Sequence, residues 1–175
     1  MSILLINGQD RRSIVLETSK GTKIDNYQIF EISQFEKNQF ARYSKNNYPL
    51  AVFRNSPSPV YNCHGMSFAS RRTNIDRSND IRKILEDDQY HKIEKKYTIP
   101  GDLVLYISLE DGDIVHSATI VSAEHAVNNI SRLVVVSKWG KFREVMHDLN
   151  NCPYKDFEKE FYRITHKEYE HEYSN

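Results

Sequence analysis

Apolar positions fall in short, separated runs over the first half of the chain and in denser, strand-like runs over the second. Residues 3–6 and 13–18 are two β-prone runs flanking Asn7-Gly8 and the polar stretch 9–12, a pattern that predicts a hairpin or two edge strands. Residues 22–48 are mostly polar, with Tyr27, Ile29, Phe30, Ile32, Phe35, Phe40 and Tyr43 scattered through them. Phe35, Gln39, Phe40 and Tyr43 share helical spacing, which predicts a helix over 33–44 whose aromatics fill a core. The two prolines of 55–59 stop any helix there. Just beyond, Phe68 and Ala69 face a core if a helix starts near residue 63. A further helix is predicted over 80–94, with Asp80 as N-cap and Ile81, Ile84 and Leu85 as its apolar stripe. From Pro100-Gly101 onward the pattern is of strands: 103–107, then a turn at 110–113, then 114–122, 133–139, 141–146 and 160–165. Helices first and an antiparallel sheet second give an α+β fold class, N-terminal helices packed on an antiparallel sheet. The charged segment 168–175 is expected to fray.

Composition narrows the function more than the fold. The 175 residues suit one domain with a single sizeable core, residues 1–55 forming an unassigned N-terminal extension or subdomain. Lys plus Arg number 24, equal to Asp plus Glu, so no global field draws the chain to nucleic acid or to an anionic membrane. No run approaches a membrane span, and the first residues lack a basic leader and a cleavage site. The expected location is therefore the cytoplasm, with a non-classical secretion route left open. Two cysteines make no disulfide framework. Cys63 and Cys152 are as readily free thiols as a bridge.

Two residues stand out as chemistry. Cys63 follows the breaker segment where a helix can begin, a place that favours thiolate over thiol. His116 lies in an apolar strand, where alternation puts Ile114, His116, Ala118 and Ile120 on one face, with the small Ser117 and Ala118 leaving room for an approaching group. A thiolate nucleophile needs an imidazole within reach to take its proton and return it to a leaving group. Read singly, each is equally well an ordinary core residue; together they make a nucleophile and a base.

The segments around them carry a resemblance. Asn62-Cys-His-Gly-Met66 resembles the Asp-Cys-Ser-Gly-Leu/Phe segment of NlpC-like peptidases and the related CHAP amidases. Pro100-Gly-Asp-Leu-Val-Leu-Tyr106 is similar to their Pro-Gly-Asp-Leu-Val-Phe-Phe strand, and His116-Ser-Ala-Thr-Ile-Val121 to their His-Val-Gly-Ile-Tyr-Ile strand. All three occur in the family's order, between about residues 60 and 140. The chain departs from the pattern at Asn62, which replaces an acidic residue, and at Ser117 and Ala118, which replace Val-Gly.

The resemblance implies a papain-like core and a cysteine peptidase or amidase, with Cys63 as nucleophile and His116 as base. It also implies a polar orienting residue on the following strand. Ser137 aligns with that position, His147 matches its usual residue type, and Asp148 is a further option. The oxyanion would meet the backbone N–H of Cys63 and a side-chain donor, for which Tyr61, Tyr48 and Gln39 are candidates. Asn62, His64 and Trp139 complete the expected substrate side, Trp139 being equally well core. No cofactor is expected. Metal binding is not expected either, because adjacent Cys63-His64 lacks the spacing that lets two ligands grip one ion. The expected partner is a peptide or protein, a peptidoglycan peptide being less suited to a cytoplasmic chain, and a toxin or defence effector is one setting for such an enzyme. Deamidation, acyl transfer of the transglutaminase kind and an inactive binding module are the rival readings. Oligomeric state is not legible.

Overall fold

The computed structural model describes residues 4–6, 9–126 and 129–164. The expected turn at Asn7-Gly8, the last residue of the strand over 160–165 and the fraying tail lie outside the described residues. What is described is α+β: three α-helices and a seven-stranded antiparallel sheet, with a separate two-stranded hairpin.

That hairpin pairs β1 (Leu4–Ile6) with β2 (Gln9–Arg11), Ile6 opposite Gln9. The second strand is thus the polar stretch, and not 13–18 as the apolar pattern predicts. Residues 13–24 instead fold back on themselves irregularly. Ile24 donates to the Leu16 carbonyl, Asn26 bridges Ile14, and Gly21 turns the chain at a φ of +80°. Leu16 and Ile24 are buried all the same. Their apolar character serves packing against α3, with no ladder required.

Helix α1 (Gln34–Asn47) forms where expected because Ser33 and Glu36 make a reciprocal capping box. Its aromatics do not all turn inward. Phe35 and Tyr43 are exposed, whereas Phe40 stacks on Phe142 at 4.2 Å and meets Trp139 and Phe53 edge-on. Helix α2 (Cys63–Phe68) starts at the thiol, and Ala69 just past it is buried. Helix α3 (Ser78–Asp87) is shorter than predicted and starts earlier, with Arg77 at the cap and Asp80 buried in the first turn against Lys83. The apolar stripe ends at Leu85, and Gln89 at a φ of 59° turns the chain out of the helix. The rest of the predicted helix is an edge strand, β4 (Tyr90–Ile93).

The sheet runs β3 (Val52–Phe53), β8 (Glu144–Asp148), β7 (Asn129–Lys138), β6 (Ile114–Ala126), β5 (Leu103–Ile107), β9 (Glu158–Ile164), β4. Strand β5 is buried along most of its length, and its period of two divides the interior. Val104 and Tyr106 join a cluster with Val135, Trp139, Leu149 and Phe161. Leu105 joins a second one under α3, with Ile75, Ile81 and Ile84. A register shift between β5 and β6 pairs Tyr106 with His116 but Ile107 with Ile114, leaving Val115 as the extra residue. This bulge corrects the simple alternation. Ile114 goes to the α3 cluster, while Ala118 and Ile120 stay with Tyr106.

Candidate functional site

Why does a helix begin at Cys63? Asn62 is its N-cap, the Oδ1 accepting from Gly65 N–H (2.9 Å) and also from Ile75 N–H (3.2 Å). The same side chain donates through Nδ2 to the Ile75 carbonyl and to Asp76. One amide thus ties α2 to the segment running back beneath it. Gly65 allows that close approach, since a Cβ there would stand 1.7 Å from the Thr73 carbonyl oxygen. The backbone N–H groups of Cys63 and His64 take no part in the cap's hydrogen bonds.

Cys63 is buried and lines a cleft of about 540 Å³ with Asn62, His64, Asn74, Asp76 and Tyr154. Burial by itself opposes ionisation of the thiol. The imidazoles of His64 and His116 outweigh it and hold Cys63 well below the ordinary thiol range. His64 moves in the complementary direction. Burial works against its charged form, yet the Cys63 thiolate, the Ile114 carbonyl and Asp76 raise it above the usual imidazole value.

His116 is fully buried, its ring stacked on Tyr154 at 3.8 Å and tilted against Tyr106. Neither ring nitrogen has a hydrogen-bond partner of good geometry among the described residues. Its influence on Cys63 is therefore an electrostatic one in this conformation, short of a formed hydrogen bond. A buried imidazole with two unsatisfied nitrogens is uncommon and calls for a reason.

His147 and Ser137 come together, with each other. The indole N–H of Trp139 donates to Ser137 Oγ (3.0 Å), leaving the hydroxyl proton for His147 Nε2 (2.8 Å). The other nitrogen, Nδ1, faces the Asp148 carbonyl at 2.8 Å and must carry the proton, because a carbonyl only accepts. Both nitrogens are thus committed to a neutral ring, and burial pushes His147 down to about 4, the charge of His116 acting the same way. The orienting bond expected from His147 or Ser137 to His116 is not made. Asp148 pairs instead with Arg132.

The other nominated residues are placed as follows. Tyr61 donates its phenol to Glu144 (2.8 Å) and accepts from Asn55, within a network closed by Arg71. That hydroxyl is spent on structure. Tyr48 and Trp139 meet edge-on at 5.0 Å, and Trp139 is core. Gln39 lies on α1 and does not line the cleft. Cys152 is a buried free thiol, as is Cys63. Among the described residues no group of three or more His, Cys, Asp or Glu is arranged to hold a metal ion. No described helix is long and apolar enough to cross a membrane.

Sequence reasoning missed Ser117 as a functional partner. Its Oγ lies 3.0 Å from His64 Nδ1 and accepts from Ser67 Oγ at 3.0 Å. The signal was present: strand alternation sends residue 117 to the face opposite His116. It also missed Lys138, fully buried on β7, whose Nζ donates to the carbonyls of Ser58, Gly140 and Phe142 and sits over the Tyr61 ring. Lysine in a strand reads as exposed unless three carbonyls are known to converge on it.

No family model matches this chain, and no curated protein or solved structure matches it at a significant level.

Proposed function

We propose that this chain is a cysteine-dependent amide hydrolase of papain-like architecture acting on a peptide or protein in the cytoplasm. The observation that carries the reading is a buried thiol, at the start of a helix and open to a cleft, whose ionisation two imidazoles favour. The unsatisfied nitrogens of His116 add support, since an orphaned buried imidazole beside such a thiol has a chemical reason to be kept free.

In this reading the proton of Cys63 passes to an imidazole, for which His116 is the base the sequence nominates. The thiolate attacks the amide carbonyl, forming the C–S bond and moving the carbonyl π pair onto oxygen. The backbone N–H groups of Cys63 and His64, which the cap leaves unused among the described residues, are the available donors to that oxyanion. Collapse breaks the C–N bond, and the imidazolium gives its proton to the departing amine. Water then attacks the thioester, its proton returns to the imidazole, and the C–S bond breaks to release the acid and regenerate the thiolate.

The test is the rate of Cys63 alkylation by iodoacetamide from about pH 4 to about pH 9, in the wild type and in His116→Ala. An apparent thiol value well below ~8.5, rising when His116 is removed, supports the pair. A slow thiol with an ordinary titration, indifferent to His116, overturns the enzyme reading.

A further inference from the structure

The two imidazoles beside the thiol are not equivalent. His64 lines the cleft together with Cys63, whereas His116 is not among the residues that form its wall. His116 lies behind Tyr154, whose ring does face the cleft and covers it at stacking distance. A substrate amide entering the cleft therefore meets His64 before any other imidazole. His64 is also the one that is held. Its Nδ1 is fixed at 3.0 Å by Ser117 Oγ, which Ser67 Oγ anchors in turn, and the ring is also within hydrogen-bonding influence of Cys63 and of the Ile114 carbonyl. A hydroxyl oxygen at Nδ1 accepts from Nδ1–H both in the imidazolium and in the neutral tautomer whose Nε2 is able to take a proton.

We propose, building on the hydrolase reading above, that His64 is the proton carrier of the reaction and Ser117 its positioning residue. His64 Nε2 takes the proton of Cys63 as the thiolate forms. It gives that proton to the amine nitrogen as the C–N bond breaks, and it takes a proton from water in the second half-reaction. His116 supports the thiolate from the buried side without exchanging a proton with substrate. The charged and titratable groups facing the Cys63–His64 pair are His116 from β6, Asp76 from the segment under α2, Lys138 from β7 and Tyr154 from the loop before β9. Of these, Asp76 and Tyr154 line the cleft with it, as do the titratable Tyr27, Asp113 and Lys141.

The experiment follows the His64 imidazole by NMR across the same pH range in the wild type and in Cys63→Ala, a small change that removes the thiolate alone. Loss of the thiolate is expected to lower the His64 midpoint. Alkylation of Cys63 is read beside it in His64→Gln, Ser117→Ala and Ser117→Thr. His64→Gln is expected to move the thiol titration upward, Ser117→Ala to move it part of the way, and Ser117→Thr, which keeps the hydroxyl, to restore it. A His64 midpoint unmoved by Cys63→Ala overturns the proposal even if His64→Gln proves unable to fold. A low wild-type thiol titration that depends on His116 and not on His64 also overturns it, while leaving the hydrolase reading intact. An ordinary wild-type titration overturns both.

Discussion

Gly65→Ala should destabilise this protein although it places a better helix former inside a helix. Propensity alone favours alanine by ~1 kcal/mol. Against this stands the contact between α2 and the chain beneath it. The new Cβ would lie 1.7 Å from the Thr73 carbonyl oxygen and 3.2 Å from Tyr61 Cβ, while real Cβ contacts essentially never fall under 3.0 Å. The obstruction is backbone, so no rotamer change relieves it, and α2 must separate from residues 73–75 by more than about 1 Å. Overpacking of this kind costs ~1–3 kcal/mol. The separation also stretches the bonds by which Asn62 bridges α2 to Ile75, each worth ~1 kcal/mol. Net of propensity, the expected loss is about 2–4 kcal/mol. Urea denaturation should show a lower midpoint with an unchanged slope. The Cys63 alkylation profile should move toward that of a free thiol, because the helix start that holds Cys63 and His64 has shifted. A variant as stable as the wild type would mean that the close approach of α2 to Thr73 is not part of the fold, and the cap geometry derived from it would fall with it.

Two further outcomes follow from buried groups. His147 titrates at about 4 when folded against 6.5 unfolded, so the unfolded chain binds the extra proton. Its contribution to stability is complete above about pH 6.5 and is lost as pH falls toward 4, by ~3 kcal/mol in all; denaturation in urea over this window should show a shallower slope in His147→Gln, and equal slopes would refute the neutral, committed ring. Lys138→Met keeps the aliphatic stem but leaves the Ser58 and Gly140 carbonyls without their ammonium donor. Burial pulls Lys138 down to about 7, so the cost should be ~2 kcal/mol in the same assay at a pH below that value, and a variant more stable than the wild type there would show that burying the charge outweighs its three bonds.

Much of the architecture is legible in short stretches of sequence. The helical spacing of Phe35, Gln39, Phe40 and Tyr43, the prolines before residue 60 and the apolar run 103–107 are short-range signals, so they announce α1, the start of α2 and β5 without help from the rest of the chain. The α+β class follows from the order of those signals. The same local reasoning carries α3 too far, because a helical stripe and a short edge strand share residues up to the point where β9 offers a partner to Tyr90–Ile93. It also makes a strand of 13–18, of which the α3 cluster buries Leu16 without a ladder while Val15 stands exposed.

For the site, the sequence by itself singled out Cys63 and His116 as chemically capable, and His64 and Asn62 as their neighbours. Which nitrogen meets which atom is a matter of register between paired strands and of packing between segments as far apart as His64 and Ser117, and only the tertiary structure decides it. Pairing Val135 with His147 brings that ring beside Ser137 and satisfies both of its nitrogens, removing it from the neighbourhood of free acids and bases. Packing α2 on β6 sets Ser117 against His64. The bulge at Val115 sends Ile114 and His116 to different sides of the sheet. Side-chain identity fixes what a residue is able to do; its hydrogen-bond partners, contributed from distant strands, fix whether it remains free to do it.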